Sequence, residues 1–149
     1  MSYITLVYAY YENGGMLDRH LEEWSNYAVK KHYRAIIVDD HSKRDPAEDH
    51  LRGVDVGFPI SLFRIDDDIP WNQNGARNLA MTFSAGWCLM TDMDHMLNAK
   101  NAKKLISHNF QRKNYYRPMR RLDDDSEYHQ HPNTYVIHRD DYWAVGGYD

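Results

Sequence analysis

The sequence lacks the features that would place the protein outside the cytoplasm. Its one cysteine, Cys88, excludes an intramolecular disulfide and fits a reducing compartment. No apolar stretch approaches the roughly 20 residues of a membrane span. No basic region precedes the first apolar run, as it does in a secretion signal. Together these absences predict a soluble, cytoplasmic protein without a membrane span.

The chain also lacks a positive field and the common phosphate-binding motifs. Its 18 lysines and arginines are outnumbered by 22 acids, which gives a net charge of −4 and argues against a nucleic-acid partner. Neither Gly-x-Gly-x-x-Gly nor Gly-x-x-x-x-Gly-Lys-Ser/Thr occurs, so the usual dinucleotide and P-loop cradles are excluded. The Gly-x-Ser-x-Gly elbow is missing as well, which argues against covalent hydrolase chemistry.

The chain does contain short apolar runs that alternate with helical patterns. The predicted strands are 3–10, 33–38, 60–65 and a run that begins at Trp87, followed by weaker ones at 115–119 and 134–138. Between the strands, apolar side chains recur at helical spacing, as in Leu17, Leu21 and Trp24. This alternation over 149 residues predicts one α/β domain with a mostly parallel central sheet and an antiparallel edge strand.

Two carboxylates, Asp92 and Asp94, follow the fourth predicted strand with one residue between them. In parallel sheets ligands bind outside the carboxyl ends of the strands, so both acids should face a crevice while Met93 points the other way. Carboxylate oxygens suit Mg2+ or Mn2+ bridging to a diphosphate. The alternative is that the two acids only begin the next turn, and their spacing alone leaves both interpretations open.

Other polar clusters are interpreted more simply. The segment Asp66-Asp67-Asp68 is expected to be a solvated loop. Among nine histidines, only His129-Gln130-His131 has a spacing that suggests metal binding, and without nearby cysteines it is interpreted as part of a polar loop. The pair Asp39-Asp40 is similar to the acid pair of a response-regulator receiver, but in receivers that pair follows the first strand. A receiver domain is therefore rejected.

The order of the motifs resembles the nucleotide-sugar-binding part of GT-A fold glycosyltransferases, especially those of family 2. The matching segments are the end of the first strand with Tyr10 and Glu12, Val38-Asp39-Asp40-His41-Ser42, Asn74-Gly75-Ala76-Arg77-Asn78, Asp92-Met93-Asp94 and Val145-Gly146-Gly147-Tyr148-Asp149. The resemblance covers essentially the whole chain. It implies a GT-A, Rossmann-like three-layer fold in which residues 1–149 form a single nucleotide-sugar-binding domain.

The resemblance also implies a role for each matching residue. The residues implied to bind the nucleotide are Tyr8, Tyr10, Glu12, Asp39, Asp40, Arg77, Asp92 and Met93. Asp94, with Asp92 beside it, would hold a Mn2+ or Mg2+ ion that bridges the diphosphate of a UDP- or GDP-linked sugar. Arg77 has an alternative role as a structural salt bridge from the start of its helix. Asn78 is expected to brace the loop beneath the Asp92-Met93-Asp94 segment.

The departures from the family pattern matter as much as the matches. Tyr8 and Tyr11 stand where the family usually has Pro and Asn, His41 replaces a glycine, and His95 replaces an acid. In the family, the segment that ends here at Asp149 is followed by an acceptor-binding region that carries the catalytic base. The chain is therefore expected to be truncated at its C-terminus. Asp123 to Asp125 are candidates for a substitute base, but acids in such a loop are expected to be solvated, so no catalytic residue is assigned.

Two functions follow from the resemblance. The first is a glycosyltransferase that transfers a sugar from a nucleoside diphosphate donor to an acceptor hydroxyl, with the acceptor unknown. The second is a nucleotide or nucleotide-sugar binding module without transferase activity.

Aromatic residues concentrate near the C-terminal end, at Tyr115-Tyr116, Tyr142-Trp143 and Tyr148. An exposed patch of these residues would allow a homodimer to form.

Overall fold

The computed structural model describes residues 2–122, 124 and 126–149. The strands are β1 (Ile4–Tyr10), β2 (Tyr33–Asp39), β3 (Ile60–Arg64), β4 (Trp87–Thr91), β5 (Tyr115–Tyr116), β6 (Arg120–Arg121), β7 (Glu127–Tyr128) and β8 (Tyr135–His138). The α-helices are α1 (Gly14–Ser25), α2 (Ala47–Leu51), α3 (Gln73–Phe83), α4 (Ala99–Ser107) and α5 (Arg139–Ala144). A short 3-10 helix, Lys30–His32, leads into β2.

The central sheet has the strand order β3-β2-β1-β4-β8-β5. The first four strands in this order are parallel, and β8 pairs antiparallel with both β4 and β5. A separate antiparallel ribbon is formed by β6 and β7. The predicted α/β class, with a mostly parallel sheet and antiparallel strands at one edge, is confirmed.

Helices cover both faces of the sheet because β1 is apolar on both faces. Leu6 and Tyr8 of β1 pack on one side with Leu17 and Trp24 of α1. Val7 packs on the other side, in a cluster with residues of α3 and α5. Alternation of side chains along a strand sends neighbouring residues to opposite layers, which gives the three-layer arrangement.

The structure differs from the sequence prediction in the C-terminal third. The strand predicted at 115–119 is limited to Tyr115–Tyr116, and the segment between it and β8 contains the β6–β7 ribbon, which was not predicted. Helix α5 was not predicted. Asp123 and Asp125, weighed as substitute bases, lie outside the described residues. Strands of two residues and a helix of six are too short for a hydrophobic period to appear in the sequence.

Two further features of the fold are the burial of the cysteine and the character of the helices. Cys88 is buried, and burial raises the pKa of its thiol to about 11. Its low reactivity fits a core residue. Within the described residues, no helix has the length and apolar character needed to cross a membrane.

The aromatic residues near the C-terminal end are mostly packed rather than exposed. Tyr142 is buried, and Tyr116, Trp143 and Tyr148 are partly buried. Tyr115 is the member of this group that remains exposed. The homodimer therefore stays a prediction, and little exposed aromatic surface supports it.

A histidine joins the first two helices on one face of the sheet. His50 contacts Asp45 through Nε2 at 2.6 Å and Asp18 of α1 through Nδ1 at 2.8 Å. Asp45 also accepts a bond from the backbone N–H of Gly14, at 2.7 Å, where α1 begins. The hydrogen bond to Asp45 is the main cause that raises the pKa of His50, and the bond to His50 is the main cause that lowers the pKa of Asp45.

We expect this contact to make stability depend on pH. A raised histidine pKa gives stabilisation that is complete below the unfolded value, about 6.5, and is lost as the pH rises through the folded value. A lowered aspartate pKa gives stabilisation that is present above about 4 and lost at lower pH. The melting temperature of the wild type minus that of His50→Gln should therefore be largest near pH 5.5 and shrink by pH 8. An equal difference at both pH values would contradict the prediction.

Candidate functional site

The carboxyl ends of β1, β2 and β4 lie at one edge of the sheet because these strands are parallel neighbours. The start of β8 reaches the same edge because it runs antiparallel to β4. The N-terminal end of α3 also lies here, since Asn72 donates to Asp40 and Gln73 donates to Asp92, each at 3.0 Å. The sequence motifs for nucleotide and metal therefore come together at this edge.

The two tyrosines of β1 assigned to the nucleotide lie in the core. Tyr8 is fully buried and packs against the rings of His20 and Trp24. Tyr10 is also buried, and its hydroxyl donates to the backbone carbonyl of Asp45 at 2.5 Å. Burial is the main cause that raises the pKa of each phenol. Both side chains pack in the core beneath the carboxyl edge of the sheet. A contact between either tyrosine and a nucleotide therefore stays a prediction.

The acids after β1 and β2 organise the loops around them. Both oxygens of Asp39 accept backbone N–H groups, from Ser42 at 2.8 Å and Ala47 at 2.9 Å. Glu12 accepts the backbone N–H of Lys43 at 2.6 Å. Asp40 is partly exposed at the rim. Its Oδ1 accepts a bond from Asn72 at the start of α3.

His41 stands where the family resemblance places a glycine, and it adopts a backbone conformation that favours glycine. Its φ angle is +62°. A residue with a side chain pays a conformational cost in this left-handed region. His41 therefore adopts, at this cost, a conformation that glycine adopts readily.

Asp92 and Arg77 form an ion pair beneath the edge. Arg77 is only 1% exposed, and its guanidinium donates to Oδ1 of Asp92. The Arg77 side chain also lies against the ring of Tyr148, at 5.4 Å from the ring centre. The structural role weighed for Arg77 is therefore present. A contact between Arg77 and a nucleotide stays a prediction.

Two histidine side chains lie close to the carboxylate of Asp92. Asp92, His95 and His131 each offer a ligand atom, and these atoms lie within 4.8 Å of one another. Oδ2 of Asp92 is 3.4 Å from Nδ1 of His131. The same nitrogen lies 3.3 Å from the backbone nitrogen of Asn133, whose N–H it accepts. One carboxylate and two imidazoles at this spacing form a donor set that a divalent cation can bind.

The contacts of His95 fix which of its two ring nitrogens carries the lone pair. Nε2 of His95 lies 2.9 Å from a guanidinium nitrogen of Arg120, which can only donate, so Nε2 carries the lone pair. Nδ1 therefore holds the proton and donates to Thr134 at 2.7 Å. Thr134 is bonded in turn to Thr91 at 3.2 Å. Burial is the main cause that lowers the pKa of His95, which favours the neutral, metal-binding form.

Asp94 and Met93 occupy different positions from those of the cluster. The Asp94 side chain is 71% exposed, and its Oδ1 is 3.9 Å from Nε2 of His95. Met93 is buried, as alternation along the chain predicts, and its carbonyl accepts a bond from His20 at 2.7 Å. Asp94 thus stands at the solvent side of the cluster. The assignment of Met93 to the nucleotide and of Asp94 to the metal stays a prediction.

Sequence reasoning missed the two histidines of the cluster. His131 was placed in a polar loop, and His95 was noted only as a departure from the family pattern. A signal was present, because an antiparallel strand beside β4 must bring the residues before its start next to those after the end of β4. The contacts between Thr91 and Thr134 and between Asp92 and Asn133 follow this rule.

Asn78 connects α3 to the C-terminal segment. Its Oδ1 accepts bonds from the hydroxyl of Tyr142 and the backbone N–H of Tyr148, and its Nδ2 donates to the Tyr148 carbonyl at 2.8 Å. The expected brace beneath Asp92-Met93-Asp94 is therefore replaced by a brace of the segment that carries Tyr148. Gly147 has a φ of +74° and would place a Cβ 2.9 Å from Oδ1 of Asn78, so this turn requires glycine.

The fold is that of glycosyltransferases, which confirms the fold predicted from the order of the motifs. S. aureus TarS 1-349 matches with a TM-score of 0.72 and 12% identity, over 99% of this chain and 50% of that one. Its complex with UDP-GlcNAc matches with a TM-score of 0.68 and 12% identity, over 99% of this chain and 48% of that one.

A mannosyltransferase, PcManGT from Pyrobaculum calidifontis in complex with GDP-Man and Mn2+, has a TM-score of 0.75 and 14% identity. The match covers 99% of this chain and 47% of the mannosyltransferase. The chain thus spans about half the length of the solved structures it resembles. No protein-family model matches the sequence, and a search of curated proteins gives no match.

Proposed function

We propose that the chain is the nucleotide-sugar-binding part of a glycosyltransferase that uses a divalent cation. The observation that carries the proposal is the cluster of Asp92, His95 and His131 at the carboxyl edge of a glycosyltransferase fold. Residues 1–149 are proposed to form one domain. The donor is proposed to be a UDP- or GDP-linked sugar, since the solved complexes of similar fold hold UDP-GlcNAc and GDP-Man.

The ligand set of the cluster favours Mn2+ over Mg2+. One carboxylate and two imidazoles supply a mixed oxygen and nitrogen set, whereas Mg2+ prefers oxygen ligands in near-ideal octahedral geometry. Asp94, at the exposed side, is proposed to add a second carboxylate once the ion is bound. When bound, the cation would stabilise the negative charge that develops on the diphosphate as the sugar leaves.

The residues around the cluster prepare it for that ion. Arg77 and Gln73 occupy Oδ1 of Asp92, which leaves Oδ2 turned toward His131. Thr134 holds the proton of His95 on the nitrogen that faces away from the cluster. Such outer contacts fix the orientation and the protonation of metal ligands. Asp40, at the rim of the same edge, is proposed to accept a hydrogen bond from the nucleoside.

The transfer step itself is proposed for the whole protein. An acceptor hydroxyl must lose its proton as it attacks the sugar, which calls for a base. None of the described residues is assigned that role. The alternative proposal, a nucleotide-sugar binding module without transferase activity, rests on this missing assignment. A transfer assay with the full reading frame separates the two, because only a transferase forms a new glycosidic bond.

The binding function is tested by calorimetric titration of the chain with UDP and GDP, with and without Mn2+. We expect one of the two nucleotides to bind at least about tenfold more tightly with Mn2+, because the cation links the diphosphate to the cluster. The corresponding monophosphate, UMP or GMP, is the matched control and should gain much less from the metal. If neither diphosphate binds with Mn2+ present, the proposal is wrong.

A further inference from the structure

The guanidinium of Arg120 lies against the metal cluster on the side of His95. Its guanidinium donates from one terminal nitrogen to Nε2 of His95 at 2.9 Å and from Nε to the carbonyl of His129 at 3.0 Å. The ring of Tyr128 lies 4.9 Å from its Cζ atom, measured to the ring centre. Three neighbours therefore hold the guanidinium in place, and one of them is a proposed metal ligand.

The hydrogen bond from Arg120 uses the same lone pair that a metal would need. A neutral imidazole has one free lone pair, and for His95 it lies on Nε2 because Nδ1 donates to Thr134. Nε2 cannot accept the Arg120 proton and coordinate a metal ion at the same time. Metal binding through His95 thus requires Arg120 to release this nitrogen.

The chemistry of the released side chain indicates where it would go. A guanidinium beside a divalent cation is repelled unless negative charge lies between them. A diphosphate supplies that charge, and its oxygens match the fork of a guanidinium. Arg120 is already at the edge where the donor is proposed to lie, so a short movement would exchange His95 for a phosphate oxygen.

We propose that Arg120 couples metal binding to donor binding. Without ligands it occupies Nε2 of His95 and weakens the binding of the metal alone. With a nucleoside diphosphate present it moves to the phosphates, and the cation takes its place on His95. Arg120 is thus a positioning residue, and this inference rests on the proposed metal centre at Asp92, His95 and His131.

The test measures Mn2+ binding by electron paramagnetic resonance of the free ion, together with nucleotide binding by calorimetry. In Arg120→Ala, affinity for Mn2+ without nucleotide should rise by about fivefold or more, within the usual range of coupling between sites. Affinity for the diphosphate at saturating Mn2+ should fall by about tenfold. A Mn2+ affinity that is unchanged or lower in Arg120→Ala would overturn the inference.

Two variants distinguish the gain in Mn2+ affinity from the effect of removing any positive charge and from damage to the β6–β7 ribbon. Arg117→Ala removes the same charge from a residue whose guanidinium lies over Tyr115, and it should leave Mn2+ affinity unchanged. Equal gains in both alanine variants would overturn the inference in favour of a simple charge effect. Arg120→Met keeps an unbranched stem for packing on Tyr128 and should reproduce the gain. A Met variant that binds Mn2+ like the wild type would also overturn it.

The His95→Ala background makes the test specific to the shared lone pair. There, Arg120→Ala should no longer raise Mn2+ affinity, and a gain of the same size would contradict the inference. Failure of the proposed metal centre gives a different result. If His131→Ala leaves Mn2+ binding intact, the metal centre is wrong and the inference falls with it. If His131→Ala loses Mn2+ while Arg120→Ala has no effect, the inference alone is wrong.

Discussion

Replacing Asp92 with alanine should lower the free energy of unfolding by about 3–5 kcal/mol, which is the usual cost of removing one partner of a buried ion pair. Arg77 is 1% exposed and directs its guanidinium to Asp92, so the variant leaves a buried charge without its partner. The Nε atom of Arg77 already has no hydrogen-bond partner among the described residues, so no hydrogen bond at Nε offsets the loss of Asp92. Urea denaturation measures the loss.

Asp94→Ala is the matched control for this prediction. It removes the same side chain two positions away, but Asp94 is 71% exposed and should change stability by no more than about 0.5 kcal/mol. Asp92→Asn keeps an acceptor for Arg77 and should lie between the two alanine variants. If Asp92→Ala were as stable as Asp94→Ala, the buried pair would not stabilise the fold. Asp92 would then matter only for ligands.

The central part of the fold could be predicted because each strand there is an apolar run with a clear end. The runs at 3–10 and 33–38 differ by at most one residue at either end from Ile4–Tyr10 and Tyr33–Asp39 in the structure. Strands buried on both faces are continuous apolar runs, which are rare elsewhere in a soluble chain. Asparagine is a favoured helix cap, and Asn98 caps α4 through a side chain that accepts the backbone N–H of Asn101.

The candidate site was predicted only in part, because its members come from segments far apart in the sequence. Asp92 was found because it directly follows a strand. His131 lies in an irregular loop before β8, where no hydrophobic period marks its position. Its place depends on the pairing of β8 with β4, which a single sequence indicates only weakly. The structure therefore adds the histidines to a site whose carboxylates were already expected.

The local contacts of Asp92 explain how one carboxylate serves both the fold and the site. Its Oδ1 accepts bonds from Arg77 and Gln73, both on α3, while Oδ2 remains turned to His131. The ion pair thus sets the direction of the ligand oxygen and links the helix to the strand end. Because the two oxygens have separate tasks, the stability effect and the metal effect should be separable by choosing different residues.

His131→Ala should reduce affinity for Mn2+ by about 100-fold or more, because loss of an outer contact to a metal ligand already costs 10–100-fold. The side chain of His131 is partly exposed and is not part of the ion pair with Arg77, so stability should change little. Mn2+ binding is measured by electron paramagnetic resonance, and a thermal melt at the same pH checks the fold. The variant therefore tests the metal centre without the damage expected for Asp92→Ala.

His129→Ala is the control, since His129 lies in the same loop, is exposed and contacts Tyr128 rather than Asp92. It should bind Mn2+ like the wild type. The opposite result is also informative. If His131→Ala kept its affinity while Asp94→Ala lost it, the cation would sit on the carboxylates of Asp92 and Asp94, as the family resemblance implies. The two histidine contacts would then be packing within the loop, and His95 would remain bonded to Arg120 when the metal is bound.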